Sequence, residues 1–166
     1  MNNLYKRDCM THRNSPWSIA YFSRASAPLS DKQLYELAAR AESRNRQLSV
    51  SGVLLVRNNH FFQVLEGHVG FVSDLYQQIA ADPRHTSVTK VLDAPIARPA
   101  FSGWPMRLIT TEDISLEELD IVGRALDALE RHAGDETRNL DLAALVACSN
   151  ALVRGVYRRP VGAIAC

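Results

Sequence analysis

The chain has 166 residues, of which 46% are hydrophobic and 22% charged, and this balance suits one globular domain with a short appendage. Its formal net charge of +1 argues against direct nucleic-acid binding, because proteins of that class usually carry a strongly basic surface. No apolar run is long enough to cross a bilayer, and the three scattered cysteines lack the spacing of metal ligands. The sequence therefore predicts a cytoplasmic protein that holds no structural metal and contacts no membrane.

The chain is predicted to begin with a polar tail, a strand and a helix. Residues 1–16 carry mixed charges and no apolar signal region, so a tail is expected there. The β-favouring residues at 18–24 predict the first strand. Ser30 and Gln33 have the spacing of a capping box, which predicts that a helix begins at this point. Asn45 stands where this helix is expected to end, and asparagine is common as a C-cap.

A hairpin, a second helix and two further strands are predicted after the first helix. The hairpin turns at Asn58-Asn59, since asparagine tolerates the positive φ that a tight turn requires. The second helix ends at Asp82-Pro83, because proline disfavours helix in the residue before it. In chain order these elements are expected at 53–56, 60–65, about 70–81, near 88–93 and about 103–110. The buried stripe of the second helix is expected to consist of Phe71, Val72, Leu75, Tyr76 and Ile79.

The element order β-α-β-β-α-β-β predicts an α+β fold of the ferredoxin-like type, with both helices on one face of the sheet. Two C-terminal helices are expected beyond it, because Ser115 and Glu118 form another capping box and residues 140–156 are apolar on more than one face. So broad an apolar surface has to be covered on two sides, which predicts a homodimer or a higher homo-oligomer. The expected domains are a tail at 1–16, a folded domain at 17–110 and a helical extension at 111–166.

Gln63 is a polar side chain in an otherwise apolar strand. Because side chains alternate along a strand, Gln63 shares a face with Phe61 and Leu65 and needs hydrogen-bond partners if that face is buried. The alternatives are an exposed face, or a hydrogen bond from Gln63 to the backbone. Tyr21, in the middle of the first strand, is by itself compatible with a core tyrosine whose hydroxyl has a partner. Taken separately, these residues leave the function open.

Five short strings stand out when they are taken together and in chain order. The strings are Tyr21-Phe22-Ser23-Arg24-Ala25, then Asn45 with Val50-Ser51-Gly52-Val53-Leu54-Leu55, then Phe61-Phe62-Gln63-Val64-Leu65-Glu66-Gly67, then Asp82-Pro83-Arg84-His85, and finally Phe101-Ser102-Gly103-Trp104-Pro105-Met106. They resemble the motifs of BLUF domains, the sensors of blue light using FAD. Each lies on the element on which the family has it, and together they span about 18–110. The resemblance implies a short, stand-alone photoreceptor, not an enzyme, with FAD as its cofactor.

The resemblance implies that FAD binds non-covalently between the two helices, with its ring system against the first strand and the strand of Gln63. Tyr21 is implied as the electron and proton donor, and Gln63 as the bridge between Tyr21 and the N5/O4 edge of the flavin. Asn45 is implied to pair with the C4=O and N3–H edge. An amide offers a donor and an acceptor on one planar group, so turning or tautomerising the Gln63 amide exchanges the two roles.

Further cofactor contacts follow from the same resemblance. Arg84 is implied to donate to the flavin C2=O, with His85 nearby. Arg40 and Arg44 are placed over the phosphates or the ribose, and a solvated cation on the helix surface is the alternative for both. The remaining implied contacts are Ser23, Leu54 and Phe61.

The output of such a sensor is implied to start at the last strand. Trp104, Met106 and Leu108 share one face of that predicted strand, and the resemblance makes Trp104 and Met106 the residues that respond to light. The alternative is that both are ordinary core residues. Because the strand leads into the C-terminal helices, the signal is expected to reach a separate downstream protein or the oligomer itself.

Three other functional classes fit the sequence less well. A flavin-binding redox enzyme with a nicotinamide site would show a G-x-G-x-x-G motif after a strand, which is absent. A ferredoxin-like binding module without flavin, such as an RNA binder, would carry a different aromatic motif in its central strand. A small acylphosphatase-like hydrolase would need an arginine-bearing phosphate loop before the first helix. These classes remain as alternatives to a photoreceptor.

Overall fold

The computed structural model describes residues 15–109 together with positions 120 and 124. The three cysteines, most of the predicted tail and the predicted C-terminal helices lie outside the described residues. Within residues 15–109, neither helix has the length and apolar character needed to cross a membrane. The elements are β1 (Trp17–Ala25), α1 (Asp31–Gln47), β2 (Ser51–Arg57), β3 (His60–Gly67), α2 (Val69–Ala80), β4 (His85–Pro95) and β5 (Arg107–Ile109).

The five strands form one sheet in the order β4-β1-β3-β2-β5. The pairs β1–β3, β1–β4 and β2–β3 are antiparallel, whereas β5 joins β2 in parallel at the edge. The first four strands and the two helices thus have the ferredoxin-like arrangement, and β5 extends it by one strand. The predicted α+β fold class is confirmed.

The beginning of α1 is the predicted capping box. The Ser30 Oγ accepts a hydrogen bond from the Gln33 backbone N–H at 3.4 Å, and the Gln33 Oε1 accepts from the Ser30 N–H at 2.9 Å. The end of the helix differs from the prediction, because Leu48 is the C-cap and Asn45 lies inside the last turn. Asn45 is buried there, and its Nδ2 donates to the carbonyl of Pro105 at 2.8 Å. A long-range contact therefore explains this asparagine, and the C-cap interpretation is wrong.

The hairpin between β2 and β3 turns at the predicted residues. Asn58 and Asn59 have φ values of 49° and 65°. A two-residue turn with positive φ at both central positions matches the right-handed twist of the flanking strands. This turn sets the register of the two strands, in which Arg57 pairs with His60 and Leu54 pairs with Gln63.

Both faces of the three central strands, β1, β3 and β2, are buried. The apolar sides of α1 and α2 pack on one face, where Ile19, Leu54 and Leu65 form a core with Val72 and Leu75 of α2. We call this the helix face and the other side of the sheet the back face. The buried back-face residues of the three central strands include Ala20, Phe22, Val53, Leu55, Phe62 and Val64.

The buried stripe of α2 is narrower than predicted. Val72 and Leu75 are fully buried, but Phe71 is 45% exposed. Phe71 flanks the stripe, and its ring lies 5.5 Å from the imidazole of His68. His68 is the N-cap of the helix, since its Nδ1 accepts from the Gly70 N–H at 3.2 Å. Phe71 therefore contacts His68 at the helix start instead of packing in the core.

The last two strands differ in length from the prediction. The fourth strand begins at His85 and is longer than 88–93. Within the described residues the fifth strand is Arg107–Ile109, so it starts later than the predicted 103–110. Pro105 has no N–H to give to a ladder, and Gly103 has a φ of 97°, so regular pairing with β2 starts only after them. Trp104 and Met106 therefore precede the strand instead of lying in it.

Candidate functional site

Three side chains on the helix face form a row across the middle of the sheet. Tyr21 of β1 pairs with Gln63 of β3, and Gln63 pairs with Leu54 of β2. Because directly paired residues of antiparallel strands point to the same face, the three side chains stand next to one another. Tyr21 and Gln63 are 42 positions apart in sequence. The register of the sheet alone brings them into contact.

The side chains of Tyr21, Gln63 and Met106 form a buried hydrogen-bonded chain. The Tyr21 hydroxyl donates to the Gln63 Oε1. The Gln63 Nε2 donates to the Met106 Sδ at 3.4 Å. Burial raises the pKa of the Tyr21 hydroxyl far above its ordinary value of 10.0, and the nearby Tyr76 raises it further, whereas Arg44 lowers it. Tyr21 therefore rests protonated and serves as the donor to the amide oxygen.

A cavity of about 390 Å³ opens above this row, between α1, α2 and the helix face. Its size and its largely apolar floor are those of a small-molecule or cofactor site. The expected cofactor contacts that line it are Tyr21, Arg40, Arg44, Leu54, Phe61, Gln63, Arg84 and His85. The lining residues that the sequence analysis did not identify are Leu37, Ala41, Gln78, Ile79 and Asp82.

Four expected site residues do not line the cavity. Ser23 is buried next to it and shares a hydrogen bond of 2.9 Å with the His85 Nδ1. Asn45 is buried and donates to the backbone near β5. Met106 is buried, and its Sδ accepts from the Gln63 Nε2 at 3.4 Å. Trp104 is half-buried, and the Arg107 guanidinium lies 5.4 Å from its ring centre.

The rim of the cavity is positively charged. Arg40 and Arg44 reach it from α1 and Arg84 from the loop before β4, while Asp82 is the acidic residue in the lining. The Arg44 Nη1 donates to the Gln78 Oε1 of α2 at 3.2 Å, which joins the two helices across the cavity. Guanidinium groups pair well with phosphate oxygens. The rim thus suits a ligand that carries phosphate groups beside an apolar ring system.

Asp82, the acidic residue of the rim, pairs with Arg84 in the loop before β4. The Arg84 Nε lies 3.0 Å from each carboxylate oxygen of Asp82, and the Arg84 backbone N–H donates to the Asp82 Oδ1 at 2.9 Å. These bonds lower the pKa of Asp82 to about 2. The pair fixes Arg84 close to the cavity, at the position where the sequence predicts a cofactor contact.

His85 has a neutral resting state. Burial lowers its pKa below the ordinary 6.5, and Arg84 lowers it further against an opposing effect of Asp82. In the unfolded chain His85 takes up a proton at a pH of about 6.5, whereas in the folded protein its imidazole resists protonation. Neutral His85 therefore contributes to the free energy of unfolding above that pH, and this contribution is lost as the pH falls below it. We expect the difference in unfolding free energy between the unmodified protein and His85→Gln to decrease on acidification, in urea titrations at about pH 7.5 and about pH 5.5. Parallel behaviour of the two proteins would contradict this assignment.

The comparisons with known proteins agree with this geometry. The sequence profile of BLUF, described as sensors of blue-light using FAD, matches residues 17–107, more than half of the chain. Photoactivated adenylate cyclase subunit beta of Euglena longa is 33% identical over 139 residues, in a match that covers 74% of this chain and 16% of that protein. The blue light- and temperature-regulated antirepressor BluF of Escherichia coli is 38% identical over 97 residues, in a match that covers 57% of this chain and 23% of that protein.

A solved structure extends the comparison to the fold. The dark-state structure of BlrB, a BLUF protein, superimposes with a TM-score of 0.64 at 25% identity, and the match covers 87% of this chain and 96% of that one. By contrast, the chain spans only about a sixth of the cyclase subunit and about a quarter of the antirepressor. The profile match covers the whole sheet up to the start of β5 and every residue that lines the cavity. The chain belongs to the BLUF family, the sensors of blue light using FAD.

Proposed function

We propose that this protein is a blue-light photoreceptor that binds FAD non-covalently in the cavity between α1, α2 and the sheet. The observation that carries the proposal is the Tyr21–Gln63 hydrogen bond on the floor of that cavity. It combines a redox-active phenol with an amide that can reverse its donor and acceptor roles. The lining fits the cofactor, since it offers apolar side chains for a ring system and arginines for a diphosphate.

The photochemical role falls to Tyr21 and Gln63. Bound flavin would supply the absorption of blue light and an electron acceptor in its excited state. Tyr21 is buried and protonated, so it can give up one electron and its hydroxyl proton and recover both when the dark state returns. Gln63 accepts from Tyr21 through Oε1 and donates to Met106 through Nε2, so rotation or tautomerisation of its amide changes both contacts at once. This exchange switches hydrogen bonds without breaking the covalent chain.

The signal is proposed to leave the site through Met106. The Met106 Sδ accepts a hydrogen bond from the Gln63 Nε2. Met106 stands immediately before β5, and the extension at 111–166 follows β5 in the sequence. A changed contact at Met106 shifts the equilibrium of the segment before β5 between two arrangements. We propose that the extension conveys this bias to a separate downstream protein or to a homo-oligomer, and that the chain itself turns over no substrate. In this view Trp104 takes part as a neighbour of Met106 in that segment.

The test is an absorption spectrum of the purified protein in the dark, under blue light and during return to the dark. We expect the band of bound oxidised flavin to shift slightly to the red in the light and to relax without bleaching. Release of the cofactor by denaturation, followed by chromatography, distinguishes FAD from FMN and riboflavin. Purification without flavin, after reconstitution with FAD has also failed, would overturn the proposal. Bleaching by light would point to a redox flavoprotein instead.

A further inference from the structure

Glu66 is a buried carboxylate that the proposed photochemistry does not use. It lies near the end of β3, and its exposed fraction is 4%. Its Oε2 accepts a hydrogen bond from the Phe101 backbone N–H at 3.0 Å, and the carboxylate also accepts from the N–H of Ala100. Burial raises the pKa of Glu66, while these two bonds lower it. Burying an acid is costly unless it has such partners, so its contacts with the 100–101 backbone need an explanation.

The two N–H groups belong to the segment that carries Trp104 and Met106. This segment, residues 100–106, belongs to the connection from β4 at one edge of the sheet to β5 at the other. The Trp104 N–H donates to the Phe101 carbonyl at 3.1 Å, which closes a turn directly after the Glu66 contacts. The Trp104 carbonyl then accepts from the Gly52 N–H of β2 at 2.9 Å. We call residues 100–106 the relay segment.

The far end of the relay segment is held by two side chains that the proposed function involves. The Asn45 Nδ2 donates to the Pro105 carbonyl at 2.8 Å, and the Gln63 Nε2 donates to the Met106 Sδ at 3.4 Å. Gln63 and Glu66 are both on β3 and are three positions apart, so their side chains point to opposite faces of the sheet. One strand thus holds the relay segment at both ends, at its start from the back face and at its end from the helix face.

The two attachments of the relay segment differ in strength and in their dependence on side-chain orientation. The Gln63–Met106 contact is a weak bond to sulfur and depends on the orientation of an amide. The Glu66 contacts join a carboxylate to two consecutive backbone N–H groups, and such a bond does not depend on side-chain rearrangement within the segment. With Ala100 and Phe101 held by Glu66, and the Trp104 and Pro105 carbonyls held by Gly52 and Asn45, a displacement that starts at Met106 is resisted toward the start of the segment. It continues into β5, the next element along the chain, which pairs with β2.

We propose that Glu66 is a positioning residue that anchors the start of the relay segment, so that a change at Gln63 and Met106 is passed to β5 instead of being absorbed in the loop after β4. This inference rests on the proposed light-driven change at Gln63. It assigns to Glu66 no contact with the flavin, because Glu66 points to the back face.

The test compares Glu66→Ala and Glu66→Gln with the unmodified full-length protein by hydrogen–deuterium exchange in the dark and under blue light. Peptides that cover 96–101 and 102–109 are followed separately, and the flavin band is recorded on the same samples. Val64→Ala is the matched control, because Val64 is a buried back-face residue of the same strand. Its truncation destabilises the core, and because valine has no polar side-chain atom it removes no hydrogen bond to the relay segment.

We expect Glu66→Ala to retain the light-induced shift of the flavin band but to lose the light–dark difference in exchange at 102–109, with a new difference at 96–101. Glu66→Gln keeps an acceptor oxygen and is expected to restore the difference at 102–109, whereas Val64→Ala leaves it in place. A Glu66→Ala protein that keeps the difference at 102–109 would overturn the proposal, as would its loss in Val64→Ala. Absence of the band shift in the unmodified protein would instead refute the proposed function, so the two failures are distinguishable.

Discussion

Replacing Gln63 with leucine is expected to abolish the light-induced red shift of the flavin band while the protein still binds flavin. Leucine fills a similar volume on the cavity floor but has no amide, so the Tyr21 hydroxyl loses its acceptor and the Met106 Sδ loses its donor. Without a group that can exchange donor and acceptor roles, light leaves no altered hydrogen bond behind. The expected effect is complete loss of the shift, measured by dark and light absorption spectra at equal flavin content.

The control for this variant is Gln78→Leu, which removes an amide from the same cavity. Gln78 is exposed, and its amide oxygen accepts from Arg44 of the other helix instead of from the Tyr21 hydroxyl. We expect Gln78→Leu to keep the red shift.

Because Gln63→Leu leaves the buried Tyr21 hydroxyl without its acceptor, it should also lower the free energy of unfolding by about 1–3 kcal/mol. A normal red shift in Gln63→Leu would show that the amide is not the switch.

Much of the fold could be predicted because its determinants are local. The capping box at Ser30 and Gln33 and the turn at Asn58-Asn59 depend on residues that are neighbours in sequence, and the structure confirms both. The β-favouring residues at 18–24 likewise predict β1, which differs from the expected bounds by one residue at each end. Local signals of this kind fix where elements begin and turn.

The predictions that failed involve contacts between distant parts of the chain, or backbone features that apolar periodicity does not reveal. Asn45 has the residue type of a C-cap, and only its contact with Pro105 explains why it lies buried inside the last turn. The apolar alternation around Trp104 predicts a longer last strand, but Pro105 and the positive φ of Gly103 keep that stretch out of the ladder.

The candidate site was predictable only in part, because its residues come from distant parts of the chain. Tyr21 and Gln63 were each compatible with a core residue until the family strings were considered together, and the register of β1 and β3 then places them in contact. Gln78 went unrecognised because its partner Arg44 is on the other helix. Asp82 could have been found from sequence, since an aspartate two positions before an arginine in a proline turn is close enough to pair with it.

Replacing Gly52 with alanine is expected to cause a large loss of stability for the addition of a single methyl group. A Cβ on Gly52 would lie 2.2 Å from the Val64 carbonyl oxygen and 3.2 Å from its carbon, and both atoms belong to the backbone of β3. Since backbone cannot move aside like a side-chain tip, β2 and β3 have to separate locally. Inserting one carbon into a packed core costs about 1–3 kcal/mol, and we expect the upper end here, measured as the free energy of unfolding in urea.

The consequence of Gly52→Ala should extend to the site, because Leu54 and Gln63 pair in the same two strands and the Gly52 N–H holds the Trp104 carbonyl. We therefore expect weaker flavin retention in addition to lower stability. Gly70→Ala is the matched control: Gly70 is in the first turn of α2, and its added Cβ would lie 3.4 Å from the His68 Nδ1 at its closest approach. Alanine favours helix over glycine by roughly 0.5–1 kcal/mol, so this variant should be neutral or slightly more stable. If Gly52→Ala unfolded at the same urea concentration as Gly70→Ala, the close approach of β2 and β3 could not be what requires glycine at this position.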